Sequence, residues 1–197
     1  MAKILEFFFD YISPYSYLAS TKVEEVARRT GAELRWRPVL LGAIFKATGS
    51  TSPMANRSKA LYLAKDVRDW TRHYHLPDFL LPEGFPSSSL KAARLGLVAE
   101  EHGRLPAYTH ALYRAVFAEG MDQSNPATLS EVLLRLGLPA KECLARADSP
   151  QIKDKLRSNT DEALARGAFG APTFFIGEDM YFGNDRLPFV EAALKRA

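Results

Sequence analysis

The order of strand and helix patterns is the sequence feature that most constrains the fold. Residues 4–9 form a short apolar run, ILEFFF, which is typical of a strand buried on both faces of a sheet. A helix pattern follows at once, with Ser13 and Pro14 as start signals and Gly31 as the end signal. Residues 33–38 then alternate between polar and apolar side chains, as a half-buried strand does. The chain therefore opens with a predicted β-α-β unit.

A long helical stretch is predicted to separate this unit from a second group of strands. Apolar residues keep helical spacing between Ala60 and Tyr74, and the stripe of Leu63, Trp70 and Tyr74 is most simply interpreted as core. Four more helix patterns follow, at 90–102, 105–117, 126–136 and 150–166.

Strand patterns return near the C-terminus. Residues 173–176 and 180–182 are short apolar runs joined by the turn-like pair Gly177-Glu178, which together predict a hairpin. A last helix is expected to begin at Asn184 or Asp185. The complete order is β-α-β, a helical insertion, and β-β-α.

Composition excludes several classes of protein. The chain has 197 residues, which suits one cooperative core with an inserted subdomain. Its 26 basic and 23 acidic residues are scattered, so no stripe for nucleic acid is predicted. No signal peptide and no run of eighteen apolar residues is found, so we expect no membrane span. The lone Cys143 cannot form an internal disulfide, which fits a cytoplasmic protein without dithiol chemistry.

Ser13 is the first candidate for chemistry. At a helix start, unpaired N–H groups and the positive end of the helix dipole favour an anion such as a thiolate, to which a serine hydroxyl can donate. A plain helix cap explains the same residue equally well. Three other pairs repeat the pattern: Ser52-Pro53, Asn125-Pro126 and Ser149-Pro150. The local sequence leaves both interpretations open.

Two further segments precede the third strand and the last helix. Pro172 either starts a strand or, in a cis peptide bond, turns the backbone of Ala171 outward toward an extended ligand. Gly183, Asn184 and Asp185 form a turn and a cap, yet N–H groups at a helix start also suit a carboxylate, and Asp185 can pair with an ammonium. An α-amino-acid head group contains both charges.

As a set, these segments resemble a known family. Residues 8–19 (FFDYISPYSYLA), 167–174 (GAFGAPTF) and 182–187 (FGNDRL) resemble 2-hydroxychromene-2-carboxylate isomerases and the related kappa-class glutathione transferases. The resemblance covers essentially the whole chain and implies an α/β, thioredoxin-like fold of DsbA type with a large all-helical insertion. The implied thioredoxin-like domain comprises residues 1–44 and 168–197, and the inserted helical subdomain comprises 45–167.

The resemblance also implies the roles of particular residues toward glutathione. Ser13 would hydrogen-bond the sulfur, and Ala171 beside cis-Pro172 would bind the tripeptide backbone. Asn184 and Asp185 would hold the γ-glutamyl end. Lys59 falls where kappa-class relatives use a lysine near the glycine carboxylate. Relatives often place an asparagine near position 50; in this chain the candidate replacements are Ser50 and Asn56.

The predicted function is a glutathione-dependent isomerase acting in aromatic compound degradation. Bound glutathione would add to a conjugated carbonyl substrate, permit bond rotation and then be eliminated. A kappa-type transferase or peroxidase is the alternative, and a binding protein without catalysis is a third possibility. The family analogy predicts a homodimer. No metal is required; His73 and His75 lack a nearby cluster of further ligands, and Cys143 is interpreted as a helix residue.

Overall fold

A computed structural model describes residues 3–196, which form four strands and nine helices. The strands are β1 (Ile4–Phe9), β2 (Glu33–Pro38), β3 (Thr173–Ile176) and β4 (Asp179–Phe182). The helices are α1 (Pro14–Thr30), α2 (Leu41–Thr48), α3 (Arg57–His73), α4 (Leu90–Glu101), α5 (Leu105–Phe117), α6 (Pro126–Arg135), α7 (Ala140–Arg146), α8 (Pro150–Ala165) and α9 (Leu187–Arg196). Short 3₁₀ turns cover Pro53–Ala55 and Asn184–Arg186.

The four strands form one mixed sheet in the order β2-β1-β3-β4. β1 pairs with β2 in parallel, whereas β3 is antiparallel to both β1 and β4. The β-α-β and β-β-α units thus meet at the β1–β3 pair, and the predicted DsbA-like thioredoxin fold with helices between β2 and β3 is confirmed. This pairing brings the C-terminal end of β1 beside the N-terminal end of β3.

Alternation along β1 divides the core between the two faces of the sheet. Phe7 and Phe9 are fully buried in the larger cluster, which includes side chains of α1, α4, α5 and α6. Phe8 points to the opposite face, where it packs with Ile44 and Phe175. Both faces of β1 are therefore covered, which explains why its sequence is an apolar run and not an alternating one.

The predicted elements lie within three residues of those in the structure, with two omissions. The short helices α2 and α7 were not delimited in the sequence analysis. Residue 44, the predicted end of the first thioredoxin-like segment, lies inside α2. The larger core cluster contains residues from both the sheet and the helical insertion, so the two pack against each other. Among residues 3–196, no helix has the length and apolar character needed to cross a membrane.

An ion-pair network joins α8 to the face of the sheet on which Phe8 lies. Glu6 pairs with Arg37 at 3.3 Å and with Arg166 at 2.6 Å, and Glu162 contacts both arginines. Arg166 also donates to the carbonyl of Gly177 at 2.8 Å, in the β3–β4 turn. Because the Glu6 side chain is 14% exposed, its charge is poorly solvated and depends on these partners.

Replacing Glu6 by alanine is expected to lower the free energy of unfolding by about 1–3 kcal/mol, because two partly buried arginines lose their shared carboxylate. Urea unfolding measures the change. The control is Glu33→Ala, which breaks an exposed pair with Arg35 and should cost less than about 1 kcal/mol. Equal losses in the two variants would contradict a stabilising role of the network.

Candidate active site

Ser13 lies at the start of α1 and makes two hydrogen bonds. It adopts an extended backbone conformation as the N-cap, and its Oγ accepts from the N–H of Ser16 at 3.1 Å. The hydroxyl also donates to the carbonyl oxygen of Ala171 at 3.0 Å, which joins residues 158 positions apart. Since Pro14 has no N–H and that of Ser16 is used, Tyr15 carries the remaining amide N–H of the first helical turn.

Asp10 is a buried residue that holds the loop before Ser13. Its carboxylate accepts from the N–H of Ile12 at 3.1 Å and from that of Leu41, at the start of α2, at 2.6 Å. Its carbonyl oxygen accepts from the Ser13 N–H at 3.0 Å. Burial raises the pKa of the Asp10 carboxyl, and the hydrogen bonds that its carboxylate accepts from Ile12 and Leu41 oppose the rise. The sequence analysis did not single out Asp10. The available signal was an acidic residue directly after an apolar strand pattern.

The loop before β3 presents Ala171 next to Ser13. The Ala171–Pro172 peptide bond is cis, as the family resemblance implies. The Pro172 carbonyl accepts from the Gly183 N–H at 3.0 Å, so this loop is tied to the segment after β4. A Cβ on Gly170 would come within 2.5 Å of the Phe182 ring, which explains the absence of a side chain there.

The segment after β4 contributes a buried amide and a carboxylate. Gly183 has a φ of +103°, and a Cβ at this position would lie 2.5 Å from Asp185 Oδ1. Asn184 is 3% exposed, and its Nδ2 has no partner at hydrogen-bond distance within residues 3–196. The Tyr74 hydroxyl lies near it, since burial raises the pKa of Tyr74 and the Asn184 side chain opposes that rise. A buried, unpaired donor is costly unless a ligand supplies an acceptor. Asn184 therefore fits a ligand-binding role.

These segments line one cavity of about 420 Å³, here called the polar cavity. Its lining comprises Tyr15, Tyr62, Asp66, Trp70, Ala171, Pro172, Phe182, Gly183, Asn184, Asp185 and Arg186. The charged groups are two carboxylates, Asp66 and Asp185, and the guanidinium of Arg186, which lies 3.5 Å from Asp185. A ligand carrying both an ammonium and a carboxylate can find a partner for each charge here.

A second cavity of about 390 Å³, the apolar cavity, adjoins the first through the side chains of Tyr15 and Tyr62. Its other lining residues are Pro53, Ser58, Lys59 and Leu63. The Tyr15 hydroxyl donates to Asp66 Oδ2 at 2.9 Å. Burial, and then this hydrogen bond, raise the pKa of Tyr15, so its hydroxyl keeps its proton at neutral pH.

The structure thus brings most of the predicted site residues together. Ala171, Pro172, Asn184 and Asp185 line the polar cavity, Ser13 contacts Ala171, and Lys59 lies in the adjoining cavity. Neither replacement candidate for the family asparagine lines these cavities. Asn56 caps α3 by accepting from the Lys59 N–H at 3.1 Å, and Ser50 Oγ accepts a hydrogen bond from the Thr48 hydroxyl at 3.0 Å.

Three lining residues of α3, Tyr62, Asp66 and Trp70, were missed by sequence reasoning. Tyr62 and Asp66 were not considered, and the apolar spacing that includes Trp70 was interpreted as core. Asp66 and Trp70 follow Lys59 at intervals of seven and eleven residues, which place them and Lys59 on one face of a helix. That spacing was the available signal.

Other candidates lie away from this site. Cys143 is buried in α7, and burial raises the pKa of its thiol, which disfavours a nucleophilic thiolate. Residues 3–196 contain no group of three or more His, Cys, Asp or Glu side chains arranged to hold a metal ion.

A larger cavity, of about 600 Å³, lies at the edge of β2, and none of the predicted site residues lines it. Its cations are already paired with carboxylates, for example Lys155 with Glu100 at 2.9 Å. Ser13, the residue predicted to act on a thiol, instead contacts Ala171 in the lining of the polar cavity.

Comparison with known proteins bears on the fold and the family of the chain. The family model described as a DSBA-like thioredoxin domain matches residues 4–195. The chain is 32% identical to 2-hydroxychromene-2-carboxylate isomerase of Sphingobium xenophagum, covering 98% of this chain and 99% of that protein. It is 28% identical to human glutathione S-transferase kappa 1, covering 95% and 88%. The solved structure of a 2-hydroxychromene-2-carboxylate isomerase superposes with a TM-score of 0.89 at 28% identity, covering 98% and 95%.

Proposed function

The chain belongs to the 2-hydroxychromene-2-carboxylate isomerase family of DsbA-like thioredoxin-fold proteins, and we propose that it is a glutathione-dependent isomerase of that type. The observation that carries the proposal is that Ala171, Asn184 and Asp185 line one polar cavity and that Ser13 donates a hydrogen bond to Ala171 in its lining. Asn184 and Asp185 are neighbours in the sequence, whereas Ser13, Ala171 and this pair lie apart from one another. Their common location supports a ligand that needs all of them.

The residues present fit glutathione. The unpaired Asn184 Nδ2 can donate to the carboxylate of the γ-glutamyl group, and the Asp185 carboxylate can accept from its ammonium. The peptide groups of Ala171 suit the extended backbone of the cysteinyl residue. Lys59, in the adjoining cavity, is proposed to hold the glycine carboxylate.

Ser13 and the start of α1 are proposed to stabilise a thiolate. When bound, glutathione supplies a thiol that adds to the conjugated carbonyl substrate, allows rotation about the former double bond, and leaves again. A free thiol has a pKa of about 8.5, so it is mostly protonated at neutral pH. Hydrogen bonds from the Ser13 hydroxyl and the Tyr15 N–H favour the ionised sulfur, and so does the positive end of the helix dipole.

A kappa-class transferase or peroxidase is the second candidate, favoured by the 28% identity to the human kappa enzyme. The thiol site would be shared by both activities, so Ser13 and the polar cavity do not separate them. The fate of the thiol does, because an isomerase returns it after each turnover.

The proposed role is in aromatic compound degradation, carried out by a cytoplasmic homodimer that binds small molecules and no nucleic acid.

The test is the interconversion of 2-hydroxychromene-2-carboxylate and its ring-opened benzylidenepyruvate partner, followed by absorbance. We expect turnover with glutathione, none with S-methylglutathione, and no loss of free thiol after many turnovers. Turnover without any thiol would contradict glutathione dependence. Consumption of thiol with a range of electrophiles, and no isomerisation, would favour the transferase.

A further inference from the structure

The hydroxyl of Ser13 is occupied before any ligand binds. Its single hydrogen is directed to the carbonyl oxygen of Ala171, while Ser16 N–H holds the oxygen in place. Ser13 is 4% exposed and Ala171 is 7% exposed, so this contact is shielded from water. Within residues 3–196, no other group donates to the Ala171 carbonyl.

This arrangement sets up a competition for one proton. A serine hydroxyl has one donor hydrogen, so Ser13 cannot serve the Ala171 carbonyl and a thiolate at the same time. Turning the hydroxyl toward sulfur would leave a buried carbonyl without a donor, which is unfavourable. A ligand that supplies a replacement donor to that carbonyl removes this cost.

We propose that a backbone N–H of the bound thiol peptide replaces the Ser13 hydroxyl at the Ala171 carbonyl, and thereby releases that hydroxyl to stabilise the thiolate. This inference rests on the proposed function, because it concerns how the same site activates glutathione. The cysteinyl N–H of a peptide lies two bonds from the thiol-bearing carbon, so one residue of the ligand carries both groups. The oxygen of Ser13 need not move, since only its hydrogen changes partner.

The exchange makes the site selective for a class of thiols. An N-acylated cysteine, as in glutathione or γ-glutamylcysteine, has an amide N–H for the Ala171 carbonyl. A simple alkyl thiol such as 2-mercaptoethanol has none, so its ionisation by Ser13 leaves the carbonyl unpaired. Binding of the peptide backbone and activation of the thiol are therefore coupled through one hydrogen bond.

The test compares glutathione with an analogue in which the cysteinyl N–H is replaced by an ester oxygen. The thiol pKa of each bound ligand is measured from the ultraviolet absorbance of the thiolate as a function of pH. The protein concentration is chosen from a separately measured Kd so that essentially all of the ligand is bound. In the unmodified protein, the ester analogue is expected to have a thiol pKa higher by about one unit or more. In Ser13→Ala, that difference should disappear, because the competing hydroxyl is absent.

Two outcomes overturn the proposal while leaving the proposed function intact. One is an equal thiol pKa for glutathione and the ester analogue in the unmodified protein, and the other is a difference in thiol pKa that persists in Ser13→Ala. A third outcome is that bound glutathione keeps its solution thiol pKa in the unmodified protein. That result would overturn the thiolate role of Ser13 in the proposed function, and this exchange with it.

Discussion

Replacing Ser13 by alanine is expected to lower turnover by about ten- to a thousandfold, and the upper end matches the loss of about a hundred- to a thousandfold seen when one donor to a developing anion is removed. The hydroxyl is buried at the start of α1, where water cannot take its place beside the sulfur. The variant also loses a helix cap worth about 1 kcal/mol, so turnover must be referred to the folded fraction. Steady-state isomerisation with saturating glutathione provides the measurement.

The matched control is Ser20→Ala, another buried serine of α1. Its hydroxyl donates to the Tyr17 carbonyl at 2.7 Å, and Tyr17, unlike the Ala171 that Ser13 contacts, does not line the polar cavity. We expect its turnover to stay within about twofold of the unmodified protein, because a buried local hydrogen bond affects mainly stability. Turnover that survives unchanged in Ser13→Ala would remove Ser13 from the mechanism.

Replacing Asp185 by asparagine is expected to raise the Kd for glutathione about ten- to thirtyfold, while turnover at saturation changes little. The substitution keeps the shape of the side chain and removes the charge that pairs with the γ-glutamyl ammonium. Loss of a charge-assisted hydrogen bond costs about 1.5–2 kcal/mol at a partly exposed position, which corresponds to that range. The Asp185 side chain is 47% exposed, so the upper limit for a buried pair does not apply.

Calorimetric titration with glutathione measures this change. Asp179→Asn serves as the control, because Asp179 is an exposed residue of β4 that does not line the polar cavity. Both variants lose one negative charge, so a general electrostatic effect would weaken binding equally. A Kd for Asp185→Asn that matches the control would place the γ-glutamyl group elsewhere.

Much of the fold follows from local patterns. The apolar run of β1, the capped start of α1 and the alternation in β2 each depend on neighbouring residues, and all three elements occur as predicted. The helices α2 and α7 were not delimited because they have eight and seven residues, too few for helical periodicity to be distinctive. Asp66 and Trp70 were missed because helical spacing does not reveal which face borders a cavity.

The predicted site depended on family resemblance more than on local sequence. Four cap-and-proline pairs look equivalent in the sequence, and all four cap a helix or 3₁₀ turn: those at Ser13, Ser52, Asn125 and Ser149. Among the described residues 3–196, Ser13 alone of these four also donates to a distant backbone carbonyl. That contact separates a candidate functional serine from a structural cap.

The sequence by itself determined the order of elements and the residue types at each loop, because caps, turns and hydrophobic periodicity act over a few neighbouring residues. Only the tertiary structure decided that Ser13 meets the Ala171 carbonyl and that Asn184 is buried with an unpaired amide. These contacts arise because the antiparallel β1–β3 pairing joins segments about 160 residues apart. Hydrogen bonds between such segments depend on packing, which no local pattern encodes.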